Sequence, residues 1–166
     1  MPGYRLEPVL KQREEEKKQA AIALGRANEA LALVEKALQE LTRDIAAKEK
    51  QKEQKKQEVF AKMLAGSMAV RKVANLHHEI KRMDLHIQDL NHALEQKQKD
   101  KQAAEAAVEQ ARIGLVEATK EYKAILKHKE KFLHKQREIA KKKEQKQMDE
   151  ISSLIYNFKG GGQGDG

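Results

Sequence analysis

A chain of 166 residues with 36% charged side chains, 4% aromatic side chains and no Trp lacks the large apolar residues that a compact core of that length needs to offset chain entropy. The absence of Cys rules out disulfides and thiolate metal sites. A formal net charge of +8 favours acidic partners such as nucleic acid, an anionic membrane surface or an acidic protein cavity. Lys and Glu are mixed along most of the chain, so the excess reads as spread rather than massed, and the Ala-, Glu-, Lys-, Leu-, Arg- and Gln-rich composition is that of long helices.

From the N-terminus, Met1 to Leu10 holds no apolar run of secretory-signal type, and no segment approaches the ~20 apolar residues that span a bilayer, so a soluble cytoplasmic protein is expected. A first helical arm is predicted over about 5–65. Its apolar residues recur at alternating steps of three and four: Leu6 and Leu10, then Leu24, Ala27, Leu31, Val34, Leu38, Leu41 and Ile45. Lys48, Lys52, Lys55 and Lys62 then occupy seam positions. Gly66-Ser67 is the best local stop and restart, since Gly suits the residue after a helix end and Ser suits an N-cap. A second arm, about 68–158, continues the spacing through Val73, Leu76, Ile80, Met83, Ile87, Leu90 and Leu94. After Lys97 and Lys101 it resumes at Ala104, Val108, Ala111, Leu115, Ala118, Tyr122, Ile125, Phe132 and Ile139.

Two architectures fit this frame: one long helix in a parallel dimer, or a hairpin folded at Gly66-Ser67. In an in-register parallel dimer the seam lysines would stack on their own copies. In the antiparallel hairpin Leu24 meets Ala111, Ala27 meets Val108 and Leu31 meets Ala104. Lys48, Lys52 and Lys55 face Ile87, Met83 and Ile80, where their stems can lie on apolar surface while the ammonium reaches water. A shift of one heptad also avoids Lys–Lys layers, so the register stays open. The expected fold is all-α: a long antiparallel two-helix coiled-coil hairpin forming a single domain over 1–159, monomeric when isolated. It carries a C-terminal helical overhang of roughly 20–25 residues and a disordered Gly-rich tail at 160–166.

The overhang is basic from Lys127 to Lys146, opposed there only by Glu130, Glu138 and Glu144. Met148, Ile151, Leu154, Ile155 and Phe158 follow as an apolar stripe at helical spacing, out of step with the heptad frame. The stripe reads either as a frayed end folded back on the hairpin or as an apolar tip that inserts into a partner.

The opening Tyr4-Arg5-Leu6-Glu7-Pro8-Val9-Leu10, with Arg13 following, resembles the start of the FliJ/YscO stalk proteins of bacterial type III secretion. The close, Lys143-Glu144-Gln145-Lys146-Gln147-Met148-Asp149-Glu150, is similar to that family's C-terminal signature. Pro8 and the overall pattern resemble the virulence branch more than the flagellar one. The resemblance implies an antiparallel hairpin, similar to the central shaft of a rotary ATPase, that sits in the pore of the hexameric secretion ATPase. Its other end would reach the cytoplasmic ring of the export gate, at the cytoplasmic face of a membrane secretion complex, and it would also bind export chaperones. Carried over, Leu6, Leu10, Arg13, Lys146, Met148, Asp149, Glu150 and Ile151 would face the ATPase. The hairpin tip, with Phe60, Met63, Leu64 and Met68, would face the export gate.

No enzymatic chemistry is expected. Of the histidines, His77, His78, His86, His92, His128 and His134, no two stand four residues apart, and they read as solvated helix-face residues. Glu14, Glu15 and Glu16 lie on a convex surface, whereas acid–base catalysis wants a concave, partly dry site. Gly25, Gly66 and Gly114 are isolated, and no Gly-Lys-Ser/Thr follows any of them, so no phosphate-binding loop is formed. No cofactor, metal or small-molecule substrate is expected. The alternative is a basic coiled-coil adaptor or a nonspecific nucleic-acid-binding protein around Lys141-Lys142-Lys143; the scarcity of aromatic residues for base stacking speaks against nucleic acid.

Overall fold

In a computed structural model, which describes residues 3–66 and 69–161, the chain forms helix α1, Glu7–Leu64, and helix α2, Val70–Gly160. The two pack against each other as an antiparallel hairpin, the all-α fold that the heptad frame and seam lysines imply. Packing density divides the chain into two compact units, one of residues 1–19 with 115–166 and one of residues 20–114.

The helix ends follow local chemistry. At the start of α1 the Glu7 amide donates to the Tyr4 carbonyl at 3.1 Å and the Leu10 amide to the Leu6 carbonyl at 2.9 Å. Pro8 sits in this first turn, where an N–H would have no intrahelical acceptor, and Glu7 lies at the positive end of the helix dipole. At the other end Gly66 adopts φ 64°, the left-handed conformation that closes a helix, and its amide donates to the Met63 carbonyl at 3.2 Å. α2 begins with the Ala69 carbonyl accepting from Lys72 at 3.0 Å and Val73 at 3.3 Å. The expected N-cap Ser67 and the expected tip residue Met68 lie outside the described residues. α2 runs on to Gly160, and the Gly161 amide donates to the Asn157 carbonyl at 3.1 Å; residues 162–166 lie outside the described residues.

The core is one seam thick. Among the described residues only Leu10, Ile45, Val59, Ile80 and Ile87 fall at 9% exposure or less, and all five are seam positions. A helix covered by one neighbour cannot hide its flanks, so the remaining seam residues stay part-exposed.

In the unit of residues 20–114 the polar gap of α1 is closed by charge. Lys52 pairs with Asp84 and Lys55 with Glu79, while Ile80 and Ile87 on the same stretch of α2 are buried. The Lys52 side chain is 23% exposed and that of Lys55 31%, as expected of stems laid over apolar surface with the ammonium reaching outward. Asp84 and Glu79 neighbour Met83 and Ile80, so the pairs settle the register left open by the sequence: it is the one that sets Lys52 over Met83 and Lys55 over Ile80. Lys101, paired with Glu35 at 3.7 Å and with Glu105 at 3.8 Å, keeps that register further along.

Candidate functional site

In the unit of residues 1–19 and 115–166 the N-terminal arm is fastened to α2 by polar and aromatic contacts. Glu7 pairs with Lys129 at 2.7 Å, and Arg13 bridges Glu16 at 2.7 Å and Glu121 at 2.5 Å. The Arg13 hydrogen bond, followed by that from Gln12, holds the Glu16 carboxyl below its ordinary pKa. The hydrogen bond to Glu16, with the nearby charge of Glu121, raises the Arg13 guanidinium. Lys17 lies 4.9 Å from the centre of the Tyr122 ring.

Tyr4 anchors the very start of the chain. Its hydroxyl lies 2.8 Å from His128 Nδ1, and its ring centre is 5.4 Å from that of Phe132. His128 is therefore more than the solvated helix-face residue expected, because the folded-back N-terminus brings it a phenol. The pairing spans 124 positions, and only a fixed register reveals it.

Beyond Phe132 α2 leaves its partner. Every described residue from Lys141 to Gly161 is exposed. Met148 (64%), Ile151 (51%) and Phe158 (89%) lie bare on this single helix together with Ile155 and Leu154. At 100° per residue Met148, Ile151, Ile155 and Phe158 fall within about 80° of one another. Of the two readings of this stripe, folding back on the hairpin is not the one observed.

The residues marked for the ATPase end divide in two. Leu10 is buried in the seam and Arg13 is held by two carboxylates, while Leu6 is 37% exposed. Lys146, Met148, Asp149, Glu150 and Ile151 are all exposed on the overhang. Lys146 lies roughly 25 Å further along α2 than Lys129, the level of Glu7. The N-terminal group and the C-terminal group thus form separate surfaces, not one composite patch.

In the unit of residues 20–114, the last turn of α1 and the first of α2 expose apolar side chains. Phe60 is 65% exposed, Met63 51%, Leu64 75% and Val70 87%. Val59 takes the seam position, so Phe60, one residue on, is turned out of it. Phe60, Met63, Val59, His77 and Ile80 line an open groove of about 410 Å³, with Lys56, Lys81 and Asp84 at its rim. Among the described residues no group of His, Asp or Glu is arranged to hold a metal ion, and no helix is long and apolar enough to cross a membrane.

The sequence matches the YscO-like protein family over residues 1–160. Among solved structures, the chain is similar to the proposed YscO homologue CT670 from Chlamydia trachomatis. The TM-score is 0.76 at 20% identity, over 98% of this chain and 100% of that one, a likeness that carries the fold. No curated protein matches the sequence.

Proposed function

The chain belongs to the YscO-like family of type III secretion components, and from that premise we propose that it is the non-enzymatic stalk of a secretion ATPase, working in the cytoplasm at the face of the membrane complex. The overhang of α2 would enter the ring of the hexameric ATPase, the apolar tip would meet the cytoplasmic ring of the export gate, and export chaperones would bind along the hairpin. The observation that carries the reading is the unpartnered end of α2, where Met148, Ile151, Ile155 and Phe158 stand exposed on one face with no second helix to cover them. Isolated apolar side chains on a surface are ordinary, but a continuous apolar face on a helix marks a surface meant to be covered.

The division of the marked residues refines which of them do the work. Leu10 and Arg13 hold the arm to α2, so their effect on the ATPase would be indirect, through the seat of the overhang. Lys146, Met148, Asp149, Glu150 and Ile151 would touch the ring directly. Phe60, Met63, Leu64 and Met68 would supply the tip contact.

The test is titration of the full chain into its cognate hexameric ATPase, with ring assembly and hydrolysis measured together. Both should rise. The double substitution Ile151→Asp and Ile155→Asp sits on an exposed helix face, so it should leave the helix content intact and abolish the stimulation. Phe60→Ala with Met63→Ala should leave the stimulation intact and weaken binding to the export gate ring. Unchanged hydrolysis on adding the wild-type chain would sink the stalk reading.

A further inference from the structure

The basic run legible from Lys127 to Lys146 reaches back to Lys120, and α2 gathers part of it on one face. Between Lys120 and Lys146 stand eleven Lys or Arg against four Glu, a local excess of seven in a chain of net charge +8. Lys120, Lys123, Lys127, Lys131, Lys135 and Lys142 recur at near-helical steps. At 100° per residue they share a face about 120° wide, and they run roughly 33 Å along α2. All six are exposed, and none forms an ion pair among the described residues. Of the neighbouring carboxylates Glu117, three residues before Lys120, shares the face, and the others are engaged or turned aside. Glu121 holds Arg13, and Glu138, which stands in the row itself, lies 3.7 Å from Lys141. Lys129 points away from the row, to Glu7.

We propose that this lysine row is an adhesion surface for an anionic lipid bilayer. Several features select that partner. The row runs straight along a convex helix face, so a flat sheet of charge can meet all of it at once. It consists of Lys without Arg, compact charges suited to diffuse headgroups rather than to the bidentate recognition of a defined carboxylate or phosphate. Its larger exposed apolar neighbours lie at its margins: Ile113 (43%) and Val116 (48%) precede Lys120, and Ile139 (39%) stands to one side of Lys135 and Lys142. A specific protein partner would instead need apolar or aromatic anchors at the centre of the contact. Single-stranded nucleic acid would need aromatic platforms, and Tyr122 and Phe132 are occupied by Lys17 and Tyr4. The Met148–Phe158 stripe is centred about 120° round the helix from the row, so the two surfaces can be separated by mutation. The inference rests on the row alone and stands or falls independently of ATPase binding.

The experiment is cosedimentation of the full chain with vesicles of phosphatidylcholine, either alone or mixed with phosphatidylglycerol, across a salt series. Binding is expected only to the mixed vesicles and should weaken as salt rises. An exposed lysine near an anionic leaflet is worth roughly five-fold in affinity, so the triple variant Lys127→Gln, Lys131→Gln, Lys135→Gln should bind about a hundred-fold more weakly. A control with the same loss of charge, Lys11→Gln, Lys36→Gln, Lys50→Gln on α1, should bind like the wild type; circular dichroism verifies that both variants fold. Equal loss in the two variants would reduce the effect to net charge and overturn the proposal, as would no binding at low salt. Tighter binding to a DNA duplex than to the vesicles, lost in the Lys127 triple variant, would overturn it in favour of nucleic acid.

Discussion

Ile87 is the sharpest probe of the hairpin. It is 8% exposed and lies in the stretch where α1 presents lysines instead of apolar side chains. Truncating it to Ala removes three carbons at about 0.8 kcal/mol each, a loss of about 2.4 kcal/mol. The hole opens onto the flank of a one-layer seam, so water fills it and little further cavity cost is added. The better helix propensity of Ala returns about 0.4 kcal/mol. The expected net destabilisation is therefore about 2 kcal/mol, at the low end for core truncations. Urea unfolding followed by far-ultraviolet circular dichroism should show the midpoint falling by about 1 M, for an m of about 2 kcal/mol/M. Leu85→Ala, at a side chain that is 60% exposed on the same helix, should change stability by less than about 0.5 kcal/mol. Equal effects of the two substitutions would refute the seam. A midpoint that rises with protein concentration would refute the intramolecular hairpin in favour of a dimer.

Two smaller effects follow from local geometry. A Cβ added at Gly25 or Gly114 meets nothing within 4 Å, and both residues are inside helices. Gly25→Ala and Gly114→Ala should each raise stability by about 0.5–1 kcal/mol in the same urea assay; a loss would mean that these positions need close backbone approach. Glu16 has its folded-state pKa lowered by Arg13, so its contribution to stability is present above the unfolded carboxylate pKa and is lost as pH falls through the folded value. The Glu16 titration followed by NMR should move up towards the ordinary range in Arg13→Gln, with the Gln12 hydrogen bond keeping part of the shift. No movement would detach the shift from Arg13.

What could be read in the sequence follows from how far apart the interacting residues are. The helices and the stop at Gly66 depend on neighbours within a turn, so the heptad spacing displays the helices directly and the Gly66-Ser67 pair displays the stop. The hairpin is less local, yet it was legible because Lys48, Lys52 and Lys55 have a bad partner in one architecture and a good one in the other. The register resisted, because a shift of one heptad changes no layer from apolar to repulsive. Asp84 and Glu79, which pair with the seam residues Lys52 and Lys55, lie on the flank of the seam, outside the apolar frame. The Tyr4–His128 contact was hidden for the same reason. The lysine row was hidden by the linear order of residues: Glu121, Glu130 and Glu138 interrupt it in the chain, but the helix turns Glu121 and Glu130 off its face.

The overhang shows why the candidate site lies where the frame breaks. A free helix of this length would be marginal in water, because its first turn must be nucleated at a cost. Here the turn is already formed: α2 enters the overhang from a segment pinned by Lys129 to Glu7 and by Phe132 to Tyr4, so each further residue adds by propagation alone. Lys, Glu and Gln between Lys141 and Gln147 favour that propagation. The apolar stripe therefore contributes nothing to holding its own helix together. The hairpin would keep its seam, its caps and its ion pairs if Met148, Ile151, Ile155 and Phe158 were polar. Their apolar character serves no contact within the chain, and it is this surplus, rather than any motif, that makes the end of α2 the strongest candidate for a partner's surface.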